Sequence, residues 1–185
     1  MKKSKLNSRD KISLLIVAVF LSLTSISQTI AENAFDKYDS VHVIKTTRER
    51  LSRKGKLDVK ITDYIFLAKK YKMAAQPFEP TIYFWFSPDY VISVRKGDAS
   101  AKVEFDDGTI KEYLHVGDTK IYGSDEMGSI YIVVEEEDKL YSHNIKSIRL
   151  SFSDGDKDYV IDDKKQGVVK ELLQLVKDAY IIAKR

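Results

Sequence analysis

From Val41 onward apolar and polar residues alternate with a period of two through most of the chain, as they do in half-buried strands. VHVIKTT (41–47), LDVKI (57–61), TIYFWFS (81–87) and SIYIVV (129–134) all follow this pattern, and YVISVRK (90–96) reads as a neighbour of 81–87. Two pairs of alternating runs flank Asp107-Gly108 and Asp154-Gly155. Asp-Gly supplies the positive φ of tight hairpin turns, so the sequence predicts hairpins at both places. Between the strands, TTRERLSRKGK (46–56) reads as a basic connection and MAAQPFEP (73–80), with two of the three prolines, as a break. VGDTKIYGSDEMG (116–128) reads as a glycine-bearing loop and EEED (135–138) as an acidic turn. DYIFLAKKYK (63–72) fits a strand or a short helix; its Ile, Tyr and Phe favour the strand.

The period changes near the C-terminus. Val168, Leu172, Leu175, Val176, Ala179 and Ala183 recur at helical spacing, and Val169, Leu173 and Tyr180 widen that apolar face. Lys170, Gln174, Lys177 and Asp178 lie opposite, and Asp162 or Asp163 is placed to cap a helix over about 163–183. Such a helix spans ~30 Å, enough to cross several strands. The expected class is α+β, mainly β: an antiparallel sheet or sandwich-like domain with one C-terminal amphipathic helix packed on it.

VISVRKGDASAKVEFDDGTI, followed by IYGSDEMGSIYIVVEEEDKLYSHNIKSIRLSFSDG and a lysine-rich amphipathic helix, resembles a group of uncharacterised exported proteins of Bacteroidetes bacteria. The resemblance covers the chain from Val91 to its end. It implies a β-rich domain with a terminal helix and brings no activity and no site residues.

The N-terminus bears on the compartment. Lys2, Lys3, Lys5, Arg9 and Lys11 precede the apolar run Ile12–Ile26, and Thr29 and Ala31 sit where a signal peptidase reads small residues. Residues 1–31 are therefore expected to be a secretory signal peptide, with 32–185 as one domain, periplasmic or secreted. The apolar run is shorter than the ~20 residues of a spanning helix, so membrane attachment is expected only if the segment stays uncleaved. The leader holds five of the 31 basic and one of the 28 acidic residues, so the remainder carries 26 and 27, a net charge of −1. The pI near 8.8 thus reflects the leader and gives no support for nucleic acid as a partner. With no cysteine, no disulfide staples the domain, and packing must stabilise it.

TIYFWFSPDY (81–90) concentrates five aromatic rings in a chain that is 11% aromatic. On a strand, Ile82, Phe84 and Phe86 point one way and Tyr83 and Trp85 the other. The expectation is a central strand covered on both faces, by the helix on one side and a second layer of strands on the other. The alternative leaves Tyr83 and Trp85 open as a saccharide-stacking platform, with tyrosines such as Tyr90, Tyr113, Tyr122 and Tyr131 as hydroxyl partners. Arg48, Arg50, Arg53, Lys54 and Lys56 form a basic stretch whose ordinary reading is a solvated loop. Its functional reading is contact with an anionic envelope partner.

Little else carries chemistry. There is no G-x-S-x-G, H-E-x-x-H or phosphate-cradling glycine loop, and His42, His115 and His143 share no ligand spacing. Asp154, Asp156 and Asp158 alternate like the start of a calcium loop, but Tyr159 and Lys165 stand where that loop needs Gly and Glu. Glu104, Asp106, Asp107 and Glu112 share a hairpin as ordinary solvated charges. No catalytic residue, metal or cofactor is expected. The reading is a non-catalytic exported domain binding an envelope protein or polysaccharide, with a saccharide module or a carboxylate-based hydrolase as alternatives.

Overall fold

In a computed structural model, which describes residues 29–36, 41–66, 78–124 and 126–183, the period-two runs form antiparallel strands. β1 (Ile30–Asp36), β2 (Val41–Thr46), β3 (Glu49–Ser52), β4 (Leu57–Phe66), β5 (Thr81–Phe86) and β10 (Gly128–Val133) make the main sheet. Its order is β1-β2-β4-β5-β10, with β3 also paired to β4. β7 (Ser100–Phe105), β8 (Ile110–Leu114), β11 (Ile145–Phe152) and β12 (Gly155–Val160) make a second sheet in the order β12-β11-β7-β8. β6 (Ile92–Val94) and β9 (Lys120–Tyr122) form a separate pair. Both expected hairpins are present, β7–β8 and β11–β12, with Gly108 at φ 79° and Gly155 at φ 136°. The mainly β class with one C-terminal helix holds.

Several local expectations change. The stretch 46–56 is not all connection: β3 lies inside it, pairing with the first half of β4 while β2 pairs with the second half. At the break between β2 and β3, the buried Thr46 hydroxyl accepts the Ile61 N–H at 3.0 Å and donates to Thr47 O at 2.9 Å, so a side chain replaces a ladder bond. β6 is not a neighbour of β5; it pairs with β9, a strand inside the expected loop 116–128. β4 continues through Phe66, and 67–77 lie outside the described residues, as does the leader through residue 28. The expected helix begins as a 3-10 turn at Asp163–Lys165, and the α-helix, α1, runs Val168–Ala183. Asp162 precedes that turn without a side-chain capping bond.

The apolar core decides which faces meet. Ile44, Leu57, Val59, Ile61, Ile82, Phe84, Phe86, Ile130 and Ile132, the main sheet's central contribution, lie on one of its faces, as the β4–β5 and β5–β10 registers require. Val168, Leu172, Leu173 and Val176 of α1 join the same core, and so do Ala101, Val103, Ile148 and Leu150 of the second sheet. α1 packs beside β1, β2 and β4, and the second sheet reaches the β5 end, where Phe86 and Phe152 lie 5.0 Å apart. Helix and second sheet therefore sit side by side over one face. The expectation that they cover opposite faces of 81–86 is overturned. Burying a side chain such as Phe84 stabilises by about 1.5–3 kcal/mol, and alternation places a single row of such residues inward.

Candidate functional site

The other face of the main sheet carries the remaining rings of β5. Tyr83 and Trp85 are half-buried, while Ile82, Phe84 and Phe86 are fully buried. Register sets their neighbours: Trp85 lies between Asp58 and Ser129, and Tyr83 between Lys60 and Tyr131. The Tyr83 and Tyr131 rings are 4.6 Å apart and tilted by 50°. The backbone of Tyr131 turns away from β5. Its N–H donates to His115 Nδ1 at 3.0 Å, and its carbonyl accepts from Val116 N–H at 2.9 Å. Opposed residues that do not exchange hydrogen bonds approach closest, which accounts for the tight ring pair.

His115 completes this edge. It is 2% exposed, and its ring lies 5.2 Å from that of Tyr131. Since Nδ1 accepts, the neutral ring carries its proton on Nε2, which faces Asp118 O at 3.5 Å. Burial holds its pKa below the ordinary histidine value. Gly117 is packed so closely that an added Cβ would stand 2.4 Å from the Tyr131 ring and 2.8 Å from His115. Tyr122 donates to or accepts from Ser129 Oγ at 3.2 Å, and burial raises its phenol pKa.

The basic stretch divides in two. Arg48 lies over the Trp85 ring, 5.2 Å from its centroid, and pairs with Asp58 at 2.8 Å. Arg50 pairs with the same carboxylate. Arg53, Lys54 and Lys56 stand exposed at the tip of the β3–β4 hairpin. The five cations thus do not form one patch: two belong to the ring-bearing face and three to the hairpin tip.

The histidines are not brought together. His42 bonds Asn33 at 2.5 Å, and His143 bonds Asp106 at 3.0 Å. Asp106, Asp107 and His143 could together hold an ion by proximity, but Lys139 Nζ lies 2.8 Å from Asp107 and the Thr109 hydroxyl 2.7 Å from it. The Lys139 bond, with those from Thr109, holds the Asp107 pKa far below the usual carboxylate range. The aspartates of 154–158 separate too: Asp154 accepts the Ser93 N–H at 3.0 Å, while Asp158 takes a bidentate pair from Arg149 at 2.6 and 2.8 Å. Glu104 accepts from Ser147 at 2.7 Å and Glu112 from Ser100 at 2.6 Å.

Of the expected hydroxyl partners, Tyr131 joins the ring cluster, but as a ring packed on Tyr83; His115, marked in the sequence only by its lack of ligand spacing, joins it as the acceptor of the Tyr131 N–H. The alternation of SIYIVV signals that Tyr131 opposes its apolar neighbours, but its pairing with Tyr83 needs the β5–β10 register. No family model matches the chain, and a search of curated proteins finds no match either. No helix among the described residues is long and apolar enough to cross a membrane.

Proposed function

We propose that this protein is an exported, non-catalytic binding module of the cell envelope that takes a saccharide on the ring-bearing face of its main sheet. The observation that carries this reading is the close Tyr83–Tyr131 pair beside Trp85, partly exposed on the face opposite the core, with Arg48 lying over the indole. Aromatic groups gathered on an outer surface are characteristic of binding sites. Sugar rings offer flat C–H faces to such groups and hydroxyls to the charged side chains around them, here Lys60 and the Arg48–Asp58 pair. Export is supported by the basic leader and apolar run of the first 31 residues.

Trp85, the single tryptophan, reports binding directly. Titrating the protein with soluble glycans and peptidoglycan fragments is expected to give a saturable change in Trp85 emission for at least one of them. Tyr83→Ala and Tyr131→Ala should each abolish it without unfolding the domain. No change with any glycan, or a change that survives both substitutions, would remove the saccharide reading.

A second reading, capture of an envelope protein by strand pairing, is favoured by β8. It ends the second sheet and exposes Ile110 and Leu114. Recovery of a partner from envelope extract that is lost on Leu114→Pro, with glycan binding absent, would favour this reading over the first.

A further inference from the structure

A cavity of about 350 Å³ lies where the tip of the β3–β4 hairpin meets the segment after β5 and strand β12, lined by Arg53, Lys56, Ser87, Asp89, Lys157 and Tyr159 among others. That volume falls at the lower end of small-molecule sites, roughly 300–1,000 Å³. The Tyr159 ring supports the hairpin tip: an added Cβ at Gly55 would stand 3.0 Å from it.

The charges around the cavity are unequally satisfied. Asp158 is occupied by Arg149. Lys157, whose side chain is 12% exposed, donates to Ser87 O at 3.1 Å and to the Asp89 carboxylate at 2.7 Å. Arg53 comes no nearer than 3.9 Å to Asp162, and the Lys56 ammonium has no partner among the described residues. Two cations are thus left over at the rim. A third, Lys157, is neutralised only by a side chain that is 85% exposed and free to swing away.

We propose that this cavity binds the oxyanion group of a small ligand of about single-sugar size, a carboxylate, sulfate or phosphate. Arg53 and Lys56 attract it, and Lys157 exchanges the Asp89 carboxylate for it. Asp89 then acts as a built-in competitor. The site shares no residue with the ring-bearing face and does not rest on the reading given to that face.

Calorimetric titration at low salt with D-glucuronate, inorganic phosphate, inorganic sulfate and neutral D-glucose tests this. At least one anion should bind saturably and glucose should not. Glucuronate binding more tightly than both inorganic ions identifies a sugar acid as the ligand class. Equal or tighter binding of phosphate or sulfate identifies the free oxyanion group. Arg53→Gln combined with Lys56→Asn should weaken binding about tenfold; Asn is chosen because Lys56 has φ 54°, which Asn tolerates. Asp89→Asn should strengthen binding about threefold or more, by releasing Lys157. All three positions are exposed, and circular dichroism checks that the variants are folded. Absence of saturable binding by all three anions, glucose binding as well as they do, an unchanged affinity in the double variant, or weaker binding in Asp89→Asn would each overturn the proposal.

Discussion

Arg48 lies 5.2 Å over the Trp85 ring while its guanidinium bonds Asp58, the residue directly across the sheet from Trp85. One side chain therefore covers the indole and neutralises its cross-strand neighbour. Asp58 is buried and also holds Arg50. Arg48→Ala leaves that second pair in place, so its cost should be limited to about 0.5–1 kcal/mol of cation–π contact, and the Trp85 emission should move to the red. Asp58→Ala removes both charge-assisted pairs at once, though the two half-exposed guanidinium groups can turn to water, and should cost about 1.5–3 kcal/mol. Urea unfolding of the two variants checks this, and equal losses would contradict it.

Gly128 opposes Phe86 across β10 and β5, and an added Cβ would stand 2.4 Å from that ring's Cζ. The ring is fully buried among Phe152 and Tyr122 and has nowhere to go. Gly128→Ala should destabilise by about 1–3 kcal/mol through overpacking. Phe86→Leu removes the clashing atom, so the double variant should fall short of the summed costs by at least about 0.5 kcal/mol. Additive losses would show that the approach is looser than described.

The parts of the fold legible in the sequence are those where a local signal and a period agree. Asp107-Gly108 and Asp154-Gly155 fix two hairpins because only a left-handed turn residue closes them, and Val168 to Tyr180 spell out a helix by spacing alone. β3 was hidden because its outward Arg50 and its flanking Arg48 and Arg53 make a strand look like a solvated loop; only Leu51 hints at burial. Which face the helix covers is a tertiary fact: alternation separates Phe84 from Trp85 but does not say which side a distant element meets. The site was half legible for the same reason. Tyr83 and Trp85 stand out by composition, whereas Tyr131 and His115 join them through register and a loop closing on a sheet edge.

His115 links that edge to pH. Its Nδ1 is an acceptor for Tyr131 N–H, burial disfavours its charged form, and Asp118 and Lys120 act on it in opposite directions. The unfolded chain takes up a proton at this residue near pH 6.5, whereas the folded one resists until lower pH. Unfolded molecules therefore bind more protons there, and stability falls as pH drops below about 6.5, by at most about 1.4 kcal/mol per pH unit. Denaturation of the protein and of His115→Gln at pH 7.5 and 5.5 isolates this term. The variant should lose less on acidification, and identical pH dependence would contradict the assignment.

Asp138, in the acidic turn after β10, gathers three donors: Tyr113 Oη at 2.6 Å, Lys111 Nζ at 2.5 Å and Leu140 N–H at 2.9 Å. It is 7% exposed and ties edge strand β8 to the 3-10 turn at Lys139–Tyr141. Burial, with Asp138 beside it, raises the Tyr113 pKa, so the phenol stays a donor. Asp138→Ala should cost about 3 kcal/mol, since it leaves buried donors unpaired, and should speed amide exchange along β8. Tyr113→Phe removes one bond and should cost about 1 kcal/mol. Equal effects of the two would show that the carboxylate is not shared.

The orientation of the main sheet, with core on one face and rings on the other, is tested most directly by acrylamide quenching of Trp85 in the native protein. Emission should lie to the red of a fully buried indole, and quenching should grow with acrylamide concentration. A blue-shifted spectrum that acrylamide cannot reach would contradict it.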